Sequence, residues 1–188
     1  MRFRYIAVIA GLGAGAVAFV YTTFDHVRSR VDRFLDPQSG DNYQVENALS
    51  AIKNGGFFGV GPGQGVEKTS IPDAHSDFIF AVIVEEAGLL FAALLIGVYA
   101  MIILRGFKRL KQTDDLFAVL AAGGLLIMIA MQSIIHIGST INIIPTKGMT
   151  LPFISYGGTS LVTSLFLTGI LLNISSHIIE YAPPPNPD

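Results

Sequence analysis

The run FIFAVIVEEAGLLFAALLIGVYAMIIL, residues 78–104, decides the fold. A helix crossing a bilayer core needs about 20 apolar residues. This run exceeds that length and is rich in Leu, Ala and Ile. It is too long for a strand. Working outward, three more stretches meet the same requirement: roughly Tyr5–Phe24, Leu116–Ile137 and Ser160–Ile179. The whole chain agrees, because 51% of its 188 residues are hydrophobic and 14% are charged. Soluble domains carry about 25% charged residues. The expectation is an all-α membrane protein with about four transmembrane helices within residues 1–181. A long extracytoplasmic loop covers 25–76, a re-entrant capping segment precedes the last helix, and a proline-rich disordered tail covers 182–188. The net charge of −2 argues against a nucleic-acid partner. With no cysteine, disulfides, thiolate metal sites and cysteine nucleophiles are excluded.

The first stretch has a second reading. Arg2 and Arg4, the apolar run and Ala16-Val17-Ala18 also fit a cleaved signal over residues 1–18. Both readings export the segment that follows. Lys and Arg in the short loops set orientation. Arg105, Lys108, Arg109 and Lys111 mark the loop after residue 104 as cytoplasmic, so 25–76 and 138–159 face outward. Arg28, Arg30 and Arg33 run against the rule, but long loops obey it poorly.

Within the long loop, Val45, Ala48, Leu49 and Ile52 recur at helical spacing, so 44–53 reads as an amphipathic helix stopped by Asn54-Gly55-Gly56. Its apolar face suits either the membrane surface or the bundle. The glycines of Phe57-Phe58-Gly59-Val60-Gly61-Pro62-Gly63-Gln64-Gly65 alternate, which fits neither a phosphate-binding loop nor a dinucleotide fingerprint. They describe a tight, backbone-exposed loop.

Few residues can carry chemistry. Asp77 enters the second apolar stretch and reads either as a helix N-cap or as a general base at the membrane–water boundary. Glu85 and Glu86 lie roughly 12–13 Å deeper at 1.5 Å per residue. Charges there line a polar cavity or pair with a neighbouring helix. Gln132 and His136, spaced i and i+4, share a face, and a helix–helix hydrogen bond is the plainer reading. His75-x-Asp77 is a weak metal signal, and no metal-ligand set is legible. Residues 145–160, Pro-Thr-Lys-Gly-Met-Thr-Leu-Pro-Phe-Ile-Ser-Tyr-Gly-Gly-Thr-Ser, break any regular helix yet lead into a membrane span. Irregular backbone at that depth lines a cavity or caps the bundle. Lys147 offers a cation for phosphate. Ser155, Tyr156, Thr159 and Ser160 offer donors.

This sixteen-residue stretch resembles a signature of the SEDS proteins, the FtsW/RodA/SpoVE group, and its Thr-Lys-Gly form resembles the FtsW branch. Residues 74–82 with Glu85-Glu86-Ala87-Gly88 resemble the group's other signature. Phe34-Leu35-Asp36-Pro37, Tyr43-Gln44 and Gly55–Gly61 match its long loop. The similarity runs from about 33 to 175. It implies a ten-helix fold of which this chain carries the last four, and a membrane-embedded inverting glycosyltransferase that polymerises lipid II in peptidoglycan synthesis. The implied location is the bacterial inner membrane at the division septum, with a class B penicillin-binding protein and other division proteins as partners. Asp77 corresponds to the essential loop aspartate. His75, Glu85, Lys147, Ser155, Tyr156, Gly157, Gly158 and Thr159 become substrate-binding candidates. Lys147, a loop arginine or a divalent cation such as Mg2+ would meet the pyrophosphate. The chain departs from the group's pattern at His136 and Thr140, where asparagines are usual, and at Asn142, where glycine is common. A precursor transporter using Glu85, Glu86 and His136, or a non-catalytic division scaffold, are the competing readings.

Overall fold

The structure is a computed structural model that describes residues 3–35, 43–145 and 148–180. Asp36, Pro37, Lys147 and the tail lie outside these. All regular structure among the described residues is helical: α1 (Phe3–Thr23), α2 (Asp25–Leu35), α3 (Tyr43–Gly55), one short 3-10 turn (Glu67–Thr69), α4 (Ile79–Leu110), α5 (Leu116–Thr140) and α6 (Gly158–Glu180). Four of them, α1, α4, α5 and α6, are long and apolar enough to cross a membrane. The chain is an all-α, multi-pass membrane protein.

The described residues from 3 to 35 form one compact unit. The chain turns at Phe24, whose carbonyl takes the amides of Val27 and Arg28 at 3.0 Å. Helix α2 follows, a helix the sequence reading missed. Tyr21 Oη donates to Asp32 Oδ1 at 2.7 Å and ties α2 back to α1.

The described residues from 43 to 180 form the second unit. Helix α3 packs on the start of α4 through a cluster of Ala48, Ala51, Ile71, Ala74, Phe78 and Ala81, with Ile52 and Val82 at its edge. Of its two possible resting places, α3 takes the bundle. Its C-terminus comes so close that a Cβ on Gly55 would strike the α4 backbone at Val84 and Glu85.

Helix α4 is broken. Gly88 takes φ 85° and ψ 169°, which interrupts the hydrogen-bond ladder. Backbone polar groups freed inside a membrane span must find partners, and the glycine loop supplies them. Val60 N and Gly61 N donate to Glu85 O and Glu86 O at 2.9 and 3.0 Å. Leu89 N and Leu90 N donate to Gly56 O and Phe57 O at 2.9 and 3.2 Å. The expected backbone-exposed loop is instead docked into the break.

Beyond Gly88, α4 runs past the expected end at Leu104 to Leu110. Basic residues suit a helix C-terminus, where the dipole is negative, and Lys108 and Arg109 occupy the last turn. Asp115 caps α5 by accepting from Phe117 N at 2.9 Å. Leu110, Ala118, Ala122 and Leu126 pack the α4–α5 crossing. Three antiparallel helices result, with Asp77 and residues 141–145 and 148–157 at one end and the basic residues at the other.

Candidate active site

A turn sets Asp77. Ser76 N and Asp77 N both donate to Asp73 O, at 2.9 and 3.0 Å. Helix α4 begins only at Ile79, and its N-cap is Phe78, which makes no side-chain cap bond. The capping expectation for Asp77 is therefore not met, and its carboxylate is not spent on the α4 amides. Oδ1 accepts from Ser76 Oγ at 2.8 Å. Oδ2 faces Gly148, where a Cβ would sit 3.2 Å away. The side chain is half-buried.

The segment after α5 is fastened against this turn. Ser155 Oγ accepts from Leu151 N and donates to Ser76 O, both at 2.7 Å. Tyr156 N donates to His75 O at 2.9 Å. The His75 and Tyr156 rings meet edge to face with centroids 5.2 Å apart. From inside the bundle, Tyr99 Oη donates to Pro152 O. Leu151 and Pro152 are fully buried. These ties hold Phe153 at φ 66°, a left-handed conformation costing about 1–2 kcal/mol for a side chain of this kind.

His136 supports the same segment from below. Its Nδ1 lies 2.6 Å from Met149 O. A carbonyl accepts, so Nδ1 carries the proton and Nε2 is left as an acceptor. Nε2 is buried and has no partner among the described residues. Asn142, standing where glycine is common in the related group, takes φ 58°. Asparagine is one of the few residues that enter the left-handed region readily.

The sequence-derived candidates separate in space. His75, Asp77, Ser155 and Tyr156 come together. Tyr156 is 75% exposed, so its hydroxyl is open to a ligand. Gly157 and Gly158 lead into α6, and Thr159 is exposed in its first turn. Lys147 lies outside the described residues.

Two candidates are engaged within the protein. Ser155 is buried and its hydroxyl is occupied on both sides, so it ties two segments together and is not a free donor. Glu85 is fully buried. Its Oε1 accepts from Asn54 Nδ2, Val66 N and Glu67 N at 3.1, 2.9 and 3.0 Å. It braces the glycine loop, which is the pairing alternative, while its Oε2 is buried with no partner among the described residues. Glu86 pairs with Lys68.

Sequence reasoning missed Gly148 and Tyr99. The signals were a glycine in a segment that must approach another backbone, and a lone tyrosine in an aliphatic run. No group of three or more His, Cys, Asp or Glu among the described residues could hold a metal ion.

Comparison with known proteins bears on this geometry. The profile of the FTSW_RODA_SPOVE family, described as "cell cycle protein", matches residues 1–179. A probable peptidoglycan glycosyltransferase FtsW of Caulobacter vibrioides is 46% identical over 170 residues, covering 89% of this chain and 44% of that protein. A protein of the same description from Coxiella burnetii is 39% identical, covering 93% of the chain and 49% of its own length. The peptidoglycan glycosyltransferase RodA of Mycobacterium bovis is 38% identical, with 93% and 38% covered. A solved chain, described under structural coordination of polymerization and crosslinking by a peptidoglycan synthase complex, superposes with a TM-score of 0.71. It is 26% identical, and the match covers 93% of this chain and 50% of that one. The chain spans about half the length of the relatives it matches.

Proposed function

Because this chain belongs to the FtsW/RodA/SpoVE family of cell cycle proteins, we propose that it carries the general base of a membrane-embedded peptidoglycan glycosyltransferase polymerising lipid II. The carrying observation is the Asp77 carboxylate: it is released from helix capping, half-buried, and set against Gly148 at the end of the bundle away from the basic residues.

In this reading one Asp77 oxygen takes the proton of the acceptor sugar hydroxyl as that oxygen attacks the anomeric carbon of the donor. The new glycosidic bond forms as the bond to the pyrophosphate breaks. The electron pair leaves with undecaprenyl pyrophosphate, and the anomeric configuration inverts. Ser76 Oγ holds Oδ1 and fixes the rotamer that presents Oδ2. Tyr156, braced by His75, offers an exposed hydroxyl to the sugar.

A divalent cation such as Mg2+ usually takes one or two carboxylates plus substrate phosphates. Such an ion would be carried mainly by the substrate pyrophosphate and would supply charge stabilisation to the departing group, leaving Asp77 to the proton. Lys147 is the other proposed source of that charge.

The positive end of α4 supports a cytoplasmic assignment for residues 105–115 and an outward-facing site. The solved relative's place in a synthase complex supports a class B penicillin-binding protein as partner, and the family's description as cell cycle proteins supports action at the septum, in the inner membrane. Transport gains no support from the intrahelical acids, since Glu85 and Glu86 are both engaged by the loop before α4.

The test is Asp77→Asn in the full-length protein. Removal of a general base lowers turnover by about 10²–10⁴-fold. Lipid II binding and membrane insertion should persist. Normal glycan yield from this variant would remove the proposed role.

A further inference from the structure

At the end of the bundle opposite Asp77, a cleft of about 210 Å3 opens between α4, α5 and α6. Ile102, Arg105, Gly106 and Arg109 line it from α4. Their spacing of i, i+3, i+4 and i+7 puts them on one helical face. Leu126 closes tightly on Gly106, since a Cβ there would come within 2.6 Å of its methyl carbons. That close approach seals α4 to α5 on one side. On the other side α6 contributes Leu171, Leu172 and Ser175.

The cleft is thus apolar with two guanidinium groups at its rim. Arg109 Nη1 donates to Ser175 Oγ at 2.8 Å, which anchors that side chain across to α6. The ion pairs found among the described residues are Arg28–Asp32 and Lys68–Glu86, so neither cleft arginine has a carboxylate partner there. The nearby Asp115 is engaged in capping α5. Lys108 and Lys111, the other cations of this end, do not line the cleft. The two residues that do are those whose planar fork suits a phosphate.

We propose that this cleft binds the headgroup of an anionic phospholipid. The phosphodiester sits on Arg105 and Arg109, and the first part of an acyl chain lies along Ile102 and Leu172. Two observations select a lipid over a free anion: the arginines stand at the terminus of membrane-spanning helices, and the rest of the lining is aliphatic. Leu172 is 65% exposed, as a surface facing acyl chains would be. Basic pockets between membrane helices at this level are recognised lipid headgroup sites. The inference does not depend on the glycosyltransferase reading.

The test uses the full-length protein in nanodiscs of phosphatidylcholine with a trace of fluorescent phosphatidylglycerol, read as energy transfer to a dye placed on the loop at Gln112. Two cations near an anionic headgroup should give about a thirtyfold preference for phosphatidylglycerol over labelled phosphatidylcholine. Arg105→Gln with Arg109→Gln should abolish most of it. Lys108→Gln with Lys111→Gln should retain it. Leu172→Trp, which fills the cleft and keeps both charges, should lose it too, and this covers the case in which the arginine variant does not fold. No preference in the native protein would overturn the proposal. So would equal loss in the lysine variant, which would mean a diffuse basic surface. Full displacement by inorganic phosphate at millimolar concentration would overturn it in favour of a free-anion site.

Discussion

Two irregular segments dock on the same three-helix bundle, and they dock by different means. The glycine loop, residues 56–67, enters the break in α4. Four backbone hydrogen bonds hold it there, and Glu85 receives the amides of Val66 and Glu67. The carbonyls of Gly56 and Phe57 and the amides of Val60, Gly61, Val66 and Glu67 are consumed in this docking. The segment 148–160 is held mainly by side chains, Tyr99 on Pro152, Ser155 on Ser76 and His136 on Met149, with one backbone bond from Tyr156 N to His75 O. That leaves Asp77 and Tyr156 partly open. Two carboxylates eight positions apart on one stretch of chain therefore differ in kind. Glu85 spends its charge on architecture. Asp77 has one oxygen steadied by a neighbouring hydroxyl and the other facing a bare glycine. A side chain at 148 would press on that second oxygen.

The comparison predicts that damage to the first segment is read as lost stability, and damage to the second as lost turnover. The largest effect is expected at Gly88. A Cβ there would collide with Phe57 O and lie 2.5 Å from Gly59 N, at a φ of 85°. The backbone cannot yield without giving up the loop ladder. Gly88→Ala should destabilise the full-length protein by roughly 3 kcal/mol or more, combining left-handed strain with overpacking. Thermal unfolding in detergent would measure it. A native midpoint would mean that the helix break is dispensable.

Glu85→Ala comes next. It strands Asn54 Nδ2 and the amides of Val66 and Glu67, donors that are only partly buried. Each unsatisfied donor costs about 1–3 kcal/mol, and partial relaxation lowers the sum. A loss of about 2–4 kcal/mol is expected, together with faster amide exchange at Val66 and Glu67. If stability held but lipid II affinity collapsed, Glu85 would belong to the site after all.

How much of this was legible follows the same division. The apolar runs located α1, α4, α5 and α6, because a bilayer dictates length and composition locally. The signature residues located Asp77 and the 148–160 segment. The break at Gly88 was not legible: a single glycine in an aliphatic run looks tolerable, and its partners lie about thirty residues earlier. The environment of Glu85 was equally hidden, since helical phase gives a direction and not what occupies it. Helix α2 could have been found. Val27, Val31 and Phe34 fall at i, i+4 and i+7, but the arginines between them drew attention to topology. Asp77 failed as a cap for a reason invisible in pattern: the Asp73 turn delays the helix by one residue, and Phe78 takes the capping position.

The smallest expected effect is the one that tests the comparison most directly. Gly148→Ala adds one methyl 3.2 Å from Asp77 Oδ2, tighter than an ordinary contact by a few tenths of an ångström. The carboxylate can yield by rotating, so stability should change little. Rotation moves the oxygen assigned to proton abstraction, however, and misplacement by about 1 Å can cost about 100-fold in rate. A displacement of a few tenths should lower kcat for lipid II polymerisation by about three- to tenfold, with KM and the unfolding midpoint near native. A stability loss without a kcat change would place Gly148 with Gly88, as a packing residue. Native behaviour on both counts would mean that the oxygen facing residue 148 is not the one that reacts, and the base would then have to act through Oδ1, at the expense of its bond to Ser76.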